Sequence, residues 1–212
     1  RMEAILSGEL FETLERLRED GKIRAAGIAL GPDVGWGEEG LAAIQRGYPV
    51  MQIIYNLFEQ EPSRRFFGPA AETGTGLFVR VPHASGLLDG SYDAGKTFDK
   101  SDHRSHRKTQ WMGECLKVRE TMGDLTAGGK RTLGQAAMLY ALAEPTVATV
   151  LPNITNEAQI EEWSRLGDVP SLEPGEVARL KRAWEEDWSA RLAQPLADSR
   201  SKPTPKLAAP AR

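Results

Sequence analysis

The stretch from Gly76 to Gly90, GLFVRVPHASGLLDG, sets an apolar run of strand length against an abrupt stop. Leu77, Phe78, Val79 and Val81 surround a single charge, Arg80, and Pro82 then removes a backbone donor and ends any ladder. A parallel strand that delivers residues to a site has this form. A core strand running into an ordinary surface loop has it too, so the flanking sequence must decide.

Upstream, SGELFETLERLREDGK places Leu10, Leu14 and Leu17 at helical spacing, with Ser7 as N-cap and Gly21 as stop. IRAAGIAL, Ile23 to Leu30, reads as a buried strand. The turn signals of GPDVGWG lead to a weaker helix, EEGLAAIQRG, and then to a second apolar run, Val50 to Asn56. SRRFFGPAAETG is a helical connector into the quoted stretch. Downstream, a polar segment from Ser91 to His106 precedes two helices, TQWMGECLKVRETMGDL and TLGQAAMLYALAEP, the second capped by Thr132. TVATVLP, Thr146 to Pro152, is the fourth strand. NEAQIEEWSRL and PGEVARLKRAWEEDWSARL are two further helices.

Short apolar strands separated by helices imply a parallel α/β sheet, because parallel neighbours need a crossover of a dozen or more residues. A doubly wound sheet and part of a (β/α)8 barrel both satisfy this pattern. No G-x-G-x-x-G follows a strand and no phosphate-loop motif is present, which weakens a Rossmann reading. The 212 residues carry 40% hydrophobic side chains and a net charge of -3 with mixed signs, so a real core is expected and a nucleic-acid or anionic-membrane partner is not. No run reaches the roughly 18 apolar residues of a membrane span. The single cysteine, Cys115, lies in a helical segment, reads as a structural thiol and suits a reducing compartment; with no charged-then-apolar leader at the start, a cytoplasmic location is expected. Residues 194–212, rich in proline and poor in aliphatic pattern, read as a disordered tail behind a domain of residues 1–193.

In their order and spacing, DGKIRAAGIAL, PVMQIIYNLFEQ, GLFVRVPHASGLLDGSY and TLGQAAMLYALAEPTVATVLPNITNEAQIEEW resemble the second half of an aldo-keto reductase, over roughly Leu10 to Trp163. The resemblance implies a partial (β/α)8 barrel in which the four strands correspond to the fifth to eighth, with the N-terminal half of the barrel missing from this chain. A full barrel takes about 250 residues. It also implies an NAD(P)H cofactor, laid across the C-terminal strand ends, and a small-molecule carbonyl or alcohol substrate.

The family's proton-transfer groups, an aspartate, tyrosine, lysine and histidine, come from its first four strands, so the resemblance assigns no catalytic residue here. Tyr55 matches a tyrosine that the family uses structurally. Tyr48, Tyr92 and Tyr140 suggest no Tyr–Lys pair. His103 and His106, at helical spacing beside Asp102, form a weak metal candidate, because Arg104, Arg107 and Lys108 would repel a cation; a solvated helix start is the expected reading. His83 is expected on the substrate side, contacting substrate or gating the pocket, with loop packing as the alternative.

Cofactor contacts carry over further. Gln52 matches a glutamine that faces the nicotinamide carboxamide, which it suits as both donor and acceptor. The family's Ser-Asn partners are replaced here by Ala29 and Leu30. Arg80 stands where relatives place an aromatic that stacks on the nicotinamide, and a guanidinium can also lie flat on a ring. Pro152, Asn153, Thr155, Asn156, Gln159 and Glu162 align with the loop and helix start that hold the adenosine end, where a helix N-terminus suits a phosphate; the alternative is a plain turn and N-cap. None of these supplies a cation for a 2′-phosphate, so NADH without strong NADPH preference is expected. Two functions remain open: a fragment of an NAD(P)-dependent reductase, inactive alone, or a non-catalytic half-barrel interaction or scaffold protein.

Overall fold

The computed structural model describes residues 2–91, 96–100 and 108–198. The four apolar runs become parallel strands β1 (Gly27–Ala29), β2 (Val50–Ile54), β3 (Gly76–Arg80) and β4 (Val147–Leu151), in spatial order β1-β2-β3-β4. Each neighbouring pair follows chain order, so every crossover joins adjacent strands, the last of them through two helices. The helices are α1 (Met2–Leu6), α2 (Gly8–Glu19), α3 (Gly37–Arg46), α4 (Arg64–Thr73), α5 (Thr109–Glu120), α6 (Leu133–Leu142), α7 (Glu157–Ser164) and α8 (Pro174–Ala183), which continues through a π turn to α9 (Ser189–Arg191).

The period of two along the central strands divides their side chains between the two faces of the sheet. Met51, Ile53, Leu77 and Val79 are fully buried and join Ile44 of α3, Phe66 of α4 and Tyr140 of α6 in one core. Each such side chain contributes about 1.5–3 kcal/mol on burial. Gln52 and Phe78, on the alternate positions, are only half-buried. Close helix packing needs Gly40, whose Cβ would meet the Phe66 ring at 2.5 Å.

The helix caps follow the sequence. Ser7 accepts from Leu10 N at the start of α2, and Thr132 with Gln135 forms a capping box at α6. The first strand does not follow it: the run Ile23–Leu30 yields three strand residues, of which Gly27 and Ala29 are exposed. An apolar run reports what a strand can bury, and β1 is an edge that pairs with β2 alone among the described residues. Leu10 of α2, beside it, is likewise 44% exposed. Between α1, α2 and this edge lies an apolar cavity of about 340 Å³, lined by Ile5, Leu14, Ile28, Leu30 and Tyr48, with Glu39 as its carboxylate.

The packed chain continues past residue 193. Ala197 donates to Val34 O at 2.9 Å and accepts from Trp36 N, bridging to Gly35 in parallel, and Gln194 donates to Glu59 at 3.2 Å. The stretch read as a tail therefore begins with docked residues 194–198, whose backbone pairing leaves no mark on composition. Residues 199–212 lie outside the described part of the chain, as do Tyr92, His103 and His106. Cys115 is fully buried in α5.

Candidate functional site

Beyond Arg80 the chain turns sharply. Val81, Ala84 and Ser85 all adopt positive φ, 59°, 52° and 59°, a region that costs a non-glycine residue about 1–2 kcal/mol. The turn is held from several sides: Asn56 donates to Val81 O at 3.0 Å, His83 O accepts from Gly86 N and Leu88 N, and Leu87 and Leu88 are fully buried. Strain so fully braced is characteristic of functional loops. The loop ends at Asp89, whose Oδ1 accepts from Ser91 N and Oγ.

Opposite it, β4 runs into Pro152 and a loop that enters α7 through the N-cap Asn156, which accepts from Gln159 N at 3.0 Å. Gln159 Oε1 accepts in turn from Thr155 N and Thr155 Oγ1, at 2.8 and 2.9 Å. Together the two loops wall a polar cleft of about 500 Å³ at the C-terminal ends of β3 and β4. The structure brings Arg80, His83, Pro152, Asn153, Thr155, Asn156 and Gln159 to this cleft.

Two expected members lie elsewhere. Glu162 accepts from the Thr132 hydroxyl through its carboxylate and from Gln135 Nε2 through its backbone oxygen at 3.1 Å. It caps the junction of α7 with α6, one helical turn past the cleft. Gln52 sits mid-strand in β2, in register with Ala29 and Phe78, on the half-open sheet face rather than in the cleft wall. Arg80 lines the cleft. Its guanidinium reaches across β2 to the carbonyls of Gly31 and Leu30, the latter at 3.4 Å, and ties the end of β3 to the loop after β1.

His83 is 2% exposed, so it forms the cleft floor rather than a free substrate contact. Its Nε2 accepts from Asn153 N at 3.2 Å, which places the ring proton on Nδ1, 3.3 Å from Asp89 Oδ2. That second approach is close but off-line, so Nδ1 makes no well-directed hydrogen bond. Gln159 Nε2 reaches the same Asp89 oxygen at 3.5 Å. Burial holds the imidazole below its ordinary value of 6.5, outweighing the attraction of Asp89 for its charged form.

Sequence reasoning missed Asp89 and Trp163. Asp89 carried a signal, an acid set between buried leucines and a glycine in the same loop as His83. Trp163 carried none, since only the fold brings α7 against the turn after β3. Tyr48, Tyr55 and Tyr140 are core groups: Tyr55 is 1% exposed and stacks on Tyr140, whose hydroxyl donates to Gln60 at 3.2 Å. Burial pushes the Tyr55 phenol far above its usual range.

Residues 5–185 of the chain match the family described as Aldo/keto reductase family. The chain belongs to the aldo/keto reductase family. Among solved structures it is similar to the glycerol dehydrogenase of Gluconobacter oxydans (20% identity, TM-score 0.69, 89% of this chain and 56% of that one). It is also similar to an aldo-keto reductase of Bacillus halodurans in its holo form (21% identity, TM-score 0.62, 92% and 59%). At such identities the likeness concerns the fold. A probable voltage-gated potassium channel subunit beta of Oryza sativa subsp. japonica is 27% identical over 139 residues, 62% of this chain and 42% of that protein. A protein of the same description in Arabidopsis thaliana is 28% identical over 132 residues, 59% and 40%. The chain thus spans about two fifths of these curated relatives and somewhat over half of the solved structures. No helix among the described residues is long and apolar enough to cross a membrane.

Proposed function

We propose that this chain is the C-terminal half of an NAD(P)-dependent aldo/keto reductase, with β1 to β4 standing as the fifth to eighth strands of a (β/α)8 barrel. The observation that carries this reading is the gathering of Arg80, Asn153, Thr155, Asn156 and Gln159 in one polar cleft at the C-terminal ends of parallel strands, the end at which such barrels bind ligands. The other strands would join at β1 and β4, the sheet's edges among the described residues.

The donor set fits the adenosine end of a nicotinamide cofactor. Thr155, Asn156 and Gln159 surround the N-terminus of α7, which favours an anion. Gln52, half-buried on the sheet face, would meet the carboxamide with both donor and acceptor. When bound, the cofactor supplies a hydride to a small carbonyl substrate or takes one from an alcohol. The chain's own part is to hold and orient it: Arg80 braces the strand ends, and the Val81–Ser85 turn forms the floor. No proton donor is assigned here, since Tyr48, Tyr55 and Tyr140 are buried in the core. The lone buried Cys115 suits a reducing compartment, and a cytoplasmic location is part of the proposal.

The test is to titrate the purified chain with NADH and assay it on an aromatic aldehyde, alone and with a co-expressed segment carrying four further βα units. Weak NADH binding and no turnover alone, with turnover on complementation, is the expected result. Aldehyde reduction by the chain alone, lost in Gln52→Ala, would sink the assignment of chemistry to the other half.

A second reading, a non-catalytic binding subunit, draws on the two plant relatives described as channel beta subunits and on the exposed β1 edge. Failure of every complemented form to turn over, with NADH binding retained, would favour it.

A further inference from the structure

The loop after β4 is held at its backbone by two rings that also touch each other. Asn153 N donates to His83 Nε2 at 3.2 Å, and Asn153 O accepts from Trp163 Nε1 at 3.4 Å. The imidazole and indole stack with centroids 5.8 Å apart and planes 14° from parallel. One residue of the loop is therefore gripped by its N–H and its C=O at once. A second attachment runs from Asp89 through Gln159 to Thr155, so Asp89 lies behind both.

We propose that His83 is a positioning residue whose neutral ring, stacked on Trp163, clamps Asn153 and makes closure of the loop at residues 152–156 dependent on pH. This rests on the reading above only in assigning that loop to the cofactor. The clamp needs Nε2 as an acceptor. A second ring proton turns it into a donor facing the Asn153 N–H, and two donors cannot share the contact. Asp89 is the charged group that faces the ring, from its own loop. Packed against it, α7 contributes the uncharged Trp163 and Gln159, and the loop after β4 contributes Asn153; Arg80 lines the same cleft but is turned to Gly31 and Leu30. Burial opposes the charged ring, so the clamp is intact near neutrality and opens as pH falls below the ordinary imidazole value.

The test is amide hydrogen exchange at Asn153 and Thr155 in the ligand-free chain, corrected for intrinsic rates, between pH 7.5 and 5. Ile53 and Val79 serve as references for global opening. In the wild type, protection at Asn153 should fall about tenfold or more across this range while the references hold. His83→Gln places an amide oxygen near the Nε2 position and cannot titrate, so protection should persist without the pH step. His83→Phe keeps a ring on Trp163 but no acceptor, and protection should be low throughout. Equal protection in wild type and His83→Phe, or an unchanged pH step in His83→Gln, overturns the proposal; if the Phe variant fails to fold, the Gln variant decides alone. Measuring NADH affinity over the same range separates the two claims. A pH step in exchange with no NADH binding at any pH upholds the clamp and overturns its assignment to a cofactor.

Discussion

His83 lies in the turn after β3 and Trp163 in α7, and each binds a different backbone group of Asn153 while their rings lie 5.8 Å apart. Such a contact makes the cleft depend on packing beneath it. Gly134, the second residue of α6, lies under the indole: a Cβ there would meet Trp163 Cη2 at 2.6 Å and Cζ3 at 2.9 Å. The indole is itself buried, stacked on His83 and bonded to Asn153 O, so it cannot yield freely.

Gly134→Ala is therefore expected to destabilise the chain by about 1–3 kcal/mol, the usual range for overpacking, and to raise exchange at Asn153 by tilting the indole. Trp163→Ala removes the ring altogether and should cost about 3–5 kcal/mol. Urea unfolding of both variants checks this. A Gly134→Ala protein as stable as the parent would show that the ring has room to move.

Stability should also report the buried imidazole. The folded ring titrates below its ordinary value of 6.5, so between the two values the unfolded chain binds more protons than the folded one. Stability contributed by neutral His83 is therefore full above about pH 6.5 and is lost as pH falls toward the folded value, with a slope of up to about 1.4 kcal/mol per pH unit. The difference in unfolding free energy between wild type and His83→Gln isolates this part, because the carboxylates titrate in both. That difference should shift against the wild type between pH 7.5 and 5.5. A difference independent of pH would rule out a titrating His83.

Much of this was legible in local pattern. Thr132 and Asn156 announced their helices by cap chemistry, and the short apolar runs between helices called for parallel strands. The turn and N-cap from Asn153 to Gln159 are written in a few adjacent residues, whereas reading them as a site came from the family resemblance. Contacts that close over long separations were not legible. The carbonyls of Leu30 and Gly31 that the Arg80 guanidinium reaches lie far from it in the chain. Glu162, in phase with the site along α7, is drawn instead to Thr132. The exposure of β1 was hidden because Ile23 to Leu30 is apolar whether or not a neighbouring strand is present.

Glu39 bears on that open edge. It is 1% exposed, and neither carboxylate oxygen accepts a hydrogen bond from the described residues. A buried acceptor left unpaired costs about 1–3 kcal/mol. Glu39→Met, which keeps the chain length and removes the polar atoms, is expected to stabilise the isolated chain by that amount in urea unfolding. A destabilised variant would mean that the carboxylate has a partner in solution.

The last expectation concerns the choice between the two nicotinamides under the proposed function. A 2′-phosphate is held by charge-assisted hydrogen bonds from Lys or Arg. Here the loop after β4 reads Asn153, Ile154, Thr155, Asn156, and Gln159 follows in the first turn of α7. The cleft's cation, Arg80, is turned away to Gly31 and Leu30. Arg165, at the far end of α7, is exposed and paired with Glu161 at 2.8 Å. Forgoing one charged contact of this kind removes about 1.5–3 kcal/mol, a factor of roughly ten to a hundred in affinity. The complemented protein should therefore discriminate weakly between the reduced cofactors or favour NADH. Replacing Gln159 by Arg puts a guanidinium at the helix start and should shift the ratio of dissociation constants toward NADPH by about tenfold or more. A wild-type protein that already prefers NADPH a hundredfold would show that a cation reaches the site from outside the residues described.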